Sequence, residues 1–113
     1  MIVDDNFAII GSANINDRSM IGSRDSEIAM LTEDMNKIPS KMGGESVLVG
    51  FFSATLRRSL YQEHFGMNEH DSMDPLSEET ENYIHKITST NTEIYREIFR
   101  CYPGKIINKN KNR

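Results

Sequence analysis

The apolar residues change their spacing partway along this 113-residue chain, and that change sets the fold class. Up to residue 31 they come in short runs, Ile2-Val3 and Phe7-Ala8-Ile9-Ile10, separated by the turn-forming triplet Asp4-Asp5-Asn6. Short β-favouring runs bounded by Asp and Asn mark hairpin strands, so two neighbouring buried strands are expected here. A further strand is expected over residues 26–31. In it Ile28 and Met30 share one face while Glu27, Ala29 and Leu31 share the other, which leaves an acid in line with apolar neighbours and in want of a partner. Residues 32–45 read as a connector, with Pro39 and Gly43-Gly44 as breakers. From residue 48 the spacing becomes helical. Leu48, Phe52, Leu56 and Leu60 recur every four residues, Phe51, Tyr61 and Phe65 widen the stripe, and Gly66 stands where a C-terminal cap belongs. Asp74-Pro75 suits the start of a second helix that buries Tyr83, Ile84 and Ile87. Thr90-Asn91-Thr92-Glu93 has the form of a capping box and predicts a third, with Ile94, Tyr95, Ile98 and Phe99 on its apolar face and its end at Pro103-Gly104. The expectation is α/β in class (α+β as a fragment): a few β-strands followed by three helices.

Hydrophobic residues make up 37% and charged residues 27%, which suits a soluble globular piece with a thin core. The longest apolar run, residues 46–52 with Gly50 inside it, falls far short of the roughly 20 residues of a membrane-spanning helix. Met1 is followed by Ile-Val-Asp-Asp, which is no secretory signal, so an intracellular setting is expected. The single cysteine, Cys101, excludes an internal disulfide and reads as a small buried hydrophobe. A net charge of −4 argues against a general nucleic-acid binder. The charge is unevenly spread, since residues 105–113 hold four basic groups and no acid. That tail reads as a disordered, solvated end, with weak attraction to anionic lipid as the alternative.

There is no HExxH, phosphate-loop GxxxxGK[ST], GxGxxG or CxxC pattern. His64, His70 and His85 lie in the helical half without companions at metal-ligand spacing and read as surface or packing residues, so neither a metal nor a cofactor is expected. The segment that can carry chemistry follows the second strand. Gly11-Ser12-Ala13-Asn14 sits at a strand's carboxyl end, where α/β sheets present ligand-binding groups. A glycine admits close approach, and a hydroxyl and a carboxamide two residues apart can both donate to an anionic oxygen. On these residues alone, an anion cradle and an ordinary polar turn both stand.

The surrounding residues narrow the choice. Residues 1–19, with residues 22–29, closely resemble the second HKD motif of eukaryotic phospholipase D, whose pattern is HxKxxxxDxxxxxxGSxxN. Asp4 falls on its aspartate, and Gly11, Ser12 and Asn14 fall on its GSxxN after the six-residue gap. Residues 52–66 are similar to the helix that follows the motif in these enzymes, and residues 74–77 and 90–103 to their C-terminal region.

The resemblance implies the C-terminal part of a phospholipase D-type half, divided as residues 1–31 (motif and following strand), 32–104 (connector and helical region) and 105–113 (basic tail). It implies a parent enzyme that hydrolyses phosphatidylcholine to phosphatidic acid and choline through a phosphohistidine. Asp4 would help fix the motif's structure, and Glu27 would hydrogen-bond and orient a catalytic histidine. Ser12 and Asn14, with Gly11, would support and bind the phosphate. The motif's histidine and lysine would lie four and two residues before Met1, so the chain alone is expected to be inactive and to need the N-terminal half of the same enzyme. Phospholipid is the implied substrate, with peripheral contact to membranes in the cytoplasm, no cofactor and no nucleic acid. Read without the resemblance, Asp4 is a turn residue and Glu27 pairs with Arg18 or Arg24. Two further readings are a piece of another HKD phosphatidyltransferase or nuclease, and a short non-catalytic protein that binds lipid headgroups or a partner.

Overall fold

A computed structural model describes residues 1–99, so Cys101, the expected helix end at Pro103-Gly104 and the basic tail lie outside the described residues. The first apolar runs form β1 (Ile2–Val3) and β2 (Phe7–Gly11), and β3 (Ala29–Glu33) follows after a polar loop that holds one helical turn, α1 (Asp17–Met20). These strands make an antiparallel sheet in the order β1-β2-β3, with Ile2 opposite Ala8 and Gly11 opposite Ala29. A separate antiparallel hairpin, β4 (Lys37–Met42) with β5 (Glu45–Gly50), precedes α2 (Phe51–Phe65) and α3 (Glu78–Ile98).

Four expectations change. The third strand begins at Ala29, so Glu27 lies just ahead of it. The connector is not loop throughout, because residues 37–42 pair with β5 across the Gly43-Gly44 turn, where both glycines are left-handed (φ 62° and 84°). Pro39 is tolerated because β4 is an edge strand. The first long helix starts at Phe51 rather than Leu48, since residues 45–50 belong to β5 and bury Val49 in its alternation. The two helices expected from Asp74 and Thr90 are one continuous α3. Ser77 caps it by accepting from the Thr80 amide at 3.2 Å, while Asp74 accepts from the amides of Gly43 and Gly44 at 2.8 and 2.7 Å. Burial alone would raise the Asp74 carboxyl, but the amides of Gly44, Gly43 and Leu76, with Lys41 nearby, outweigh it and hold the group below its ordinary value. Gly66 does cap α2, in the left-handed conformation at φ 67°.

The strands are neighbours as expected, but they are less buried. Ala8 is enclosed, whereas Phe7 and Leu31 on one face of the sheet and Ile10 and Met30 on the other are exposed. The core is thin and unusually polar: Ala8, Val49, Ala54 and Met67 are buried alongside Asp5, Ser40, Ser53, Arg57, Arg58, Ser72 and Thr80.

One ion pair dominates that core. Asp5 takes two hydrogen bonds from Arg57, from Nε and Nη2, each at 2.8 Å. Arg57 also donates through Nη1 to the Ser72 carbonyl at 2.6 Å and stacks 5.1 Å from the Tyr61 ring centroid. The Asp5 carbonyl accepts from the Gly50 amide at 2.8 Å. At Gly50 a Cβ would sit 2.6 Å from that of Asp34, so glycine is what lets the start of α2 meet the hairpin turn. Gly50 offers no capping side chain, and the Asp34 carboxylate takes that role from the β3–β4 link by accepting from the Phe52 amide.

Candidate active-site loop

β2 delivers its last residues to the polar loop, and the hydrogen bonding continues past the strand. The Ser12 amide donates to the Ile28 carbonyl at 3.0 Å, and the Ile28 amide returns a bond to Ser12 Oγ at 3.1 Å. The hydroxyl proton of Ser12 goes to Glu27 Oε2, 2.5 Å away. Asn14 is tied in by its backbone, whose amide donates to Ser19 Oγ at 3.0 Å. Ser19 is held in turn by α1, where Asn16 Oδ1 caps the helix by accepting from the Ser19 amide at 3.0 Å.

The Ser12 hydroxyl, with a smaller contribution from Ser19, holds the Glu27 carboxyl below its ordinary value of 4.5. Glu27 is therefore an ionised, oriented carboxylate at neutral pH. Such a group can accept an imidazole N–H and fix which ring nitrogen carries the proton. The Asn14 carboxamide, whose Nδ2 donates to the Ser12 carbonyl at 3.5 Å, has a second N–H that can donate to an anionic oxygen.

The structure brings Gly11, Ser12, Asn14 and Glu27 together. Asp4 stands apart, exposed in the turn at the other end of β2, on the order of 17 Å along a five-residue strand. Glu27 pairs with neither arginine of its loop. Arg18 instead meets Asp25 at 2.8 Å, an exposed pair that contributes little. Gly11 has a reason the sequence did not suggest: a Cβ there would fall 2.4 Å from the Ile28 carbonyl and 2.5 Å from the Ala29 Cα. The close approach is to β3. His70 faces Asp71 at 3.4 Å in an exposed turn, and among the described residues no group of three or more potential ligands could hold a metal. No described helix is long and apolar enough to cross a membrane.

Sequence reasoning missed Ser19 and the Asp5–Arg57 pair. The Asn16-x-x-Ser19 spacing is a helix-cap signal that points to Ser19, but nothing local says which of two adjacent aspartates turns inward.

The phospholipase D family model matches residues 1–107. The chain is 50% identical to phospholipase D zeta 1 of Arabidopsis thaliana over 95% of its length, 45% identical to a phospholipase D of Phytophthora infestans over 92%, and 41% identical to human phospholipase D1 over 92%. It spans 10%, 6% and 10% of those proteins respectively. The match covers the strands, the polar loop and both long helices, and the chain belongs to the phospholipase D family.

Proposed function

We propose that this chain carries the phosphate-binding side of a phospholipase D active site, in an enzyme that hydrolyses phosphatidylcholine to phosphatidic acid and choline. A histidine of the parent attacks phosphorus, the P–O bond to choline breaks, and a second histidine protonates the leaving alcohol. Water then cleaves the phosphohistidine to release phosphatidic acid. Asn14 and Ser12 line the phosphate's place, Glu27 orients a histidine, and Asp4 serves the turn inside the motif. The enzyme works in the cytoplasm at membrane surfaces, and the N-terminal half of the same protein completes the site.

The observation that carries this reading is the strand register. Ile2 pairs with Ala8 and Val3 with Phe7, and Met1 and Ile9 exchange both backbone hydrogen bonds at 2.8 Å. A strand running upstream in that register sets the residue two before Met1 opposite Gly11 and the residue four before it opposite Ala13. In the family's motif those residues are the lysine and the histidine. The register of β2 with β3, continued past Gly11–Ala29, sets Ala13 opposite Glu27. The histidine and Glu27 then flank one alanine, small enough for the two side chains to meet across it.

The test is choline release from phosphatidylcholine vesicles by the longer enzyme that includes this chain and both motifs. Replacing the histidine four residues before Met1 is expected to reduce turnover on the order of 1,000-fold or more. Undiminished release by that variant contradicts the mechanism, and nucleotide release without phosphatidic acid contradicts the substrate.

A further inference from the structure

We infer that Arg57 is a positioning residue for the cradle loop, acting through Asp5 on the alignment of β1 with β2; this rests on the active-site reading above. Arg57 and Asp5 are 8% and 2% exposed in their side chains, so the pair is shielded from the water that weakens surface ion pairs. It holds an unfavourable piece of backbone. Asp4 and Asp5 are both left-handed, at φ 51° and 49°, a conformation that costs residues with a Cβ and persists where surrounding contacts over-determine it. Here those contacts come from three sides: the Arg57 fork on the Asp5 carboxylate, the Gly50 amide on its carbonyl, and the Asn6 amide on the Val3 carbonyl at 2.9 Å. Arg57 is anchored in its own right by the Ser72 carbonyl.

The turn matters to the site because it sets how β1 lies against β2, with Val3 opposite Phe7, Ile2 opposite Ala8 and Met1 bonded to Ile9. A hairpin's turn fixes its register, and this turn, with two left-handed aspartates, depends on the contacts that hold it. A slip of one residue would turn every side chain upstream of Met1 to the opposite face of the sheet, while Ser12 and Glu27, held by β3, would stay where they are. Arg57 therefore acts on the meeting of the two halves of the motif without touching the phosphate. Its loss should lower kcat and spare KM.

The test uses the longer enzyme with Arg57→Lys, which keeps the charge and loses the fork, and with D5N/R57Q, a hydrogen-bonding neutral pair that leaves no unpaired buried charge. For either variant kcat is expected to fall on the order of 10- to 100-fold, with KM within about twofold. Amide exchange should accelerate at Ile9, which bonds the Met1 carbonyl, and stay unchanged in the β4–β5 hairpin. Full kcat in a folded variant, or equal loss of protection in both hairpins, overturns the inference. If the enzyme with Arg57 intact releases no choline, the active-site reading fails, while the exchange comparison still decides whether Arg57 sets the strand alignment.

Discussion

The two ends of β2 each hold an acid, and the two acids are used in opposite ways. At the turn end, Asp5 is buried and its carboxylate is consumed by Arg57, with both oxygens bonded. At the loop end, Glu27 is accessible and its carboxylate is oriented by Ser12. A buried carboxylate with a guanidinium fork is a frame element, because neither partner can leave without stranding the other's charge. An accessible carboxylate pinned by a hydroxyl keeps lone pairs for another group. Five residues of strand join a buried, paired carboxylate to an accessible, oriented one.

Breaking the buried end should have the largest effect on stability. Arg57→Ala leaves Asp5 buried and unpaired, and is expected to cost about 3–5 kcal/mol, read from chemical or thermal denaturation. A loss under about 1 kcal/mol would mean that the pair is not the frame described here. The strand between the ends is next. Gly11→Ala drives a methyl group into the backbone of Ile28 and Ala29, with an expected cost of about 1–3 kcal/mol and faster exchange of the Ser12 amide. Unchanged stability would show that β3 gives way freely. The smallest effect belongs to the accessible end. The folded-state pKa of Glu27 is lowered, so its contribution to stability is present at neutral pH and is lost as pH falls through that value, below 4.5. Ser12→Ala should shift the Glu27 titration upward toward 4.5, seen by NMR of its side-chain carboxyl. A titration that does not move would remove Ser12 as the orienting group.

The readable parts of this fold are those fixed by local chemistry. Asp4-Asp5-Asn6 between two apolar runs gave the β1–β2 hairpin, and Gly66 after the Leu56, Leu60 and Phe65 stripe gave the end of α2. The start of α2 was not readable because Leu48 continues the four-residue spacing by coincidence. Leu48 is an exposed residue of β5, and a short apolar run does not distinguish strand from helix. The Thr90 box failed because a capping pattern starts a helix only where no helix is already running, and Ser77 had started α3 upstream. In the loop, the GSxxN spacing singled out Gly11, Ser12 and Asn14, and, although β3 begins only at Ala29, an expected strand over residues 26–31 singled out Glu27. Its partner Ser12 lies 15 residues away, and Arg57 lies 52 residues from Asp5, so only the folded chain reveals these pairings.

The most direct test compares the two acids in the longer enzyme, with kcat and melting temperature measured on Glu27→Gln and Asp5→Asn side by side. The account predicts that Glu27→Gln lowers choline release on the order of 100-fold or more while the melting temperature hardly changes, and that Asp5→Asn lowers the melting temperature by several degrees or more. Full turnover by Glu27→Gln would contradict the division of labour between the two ends of β2.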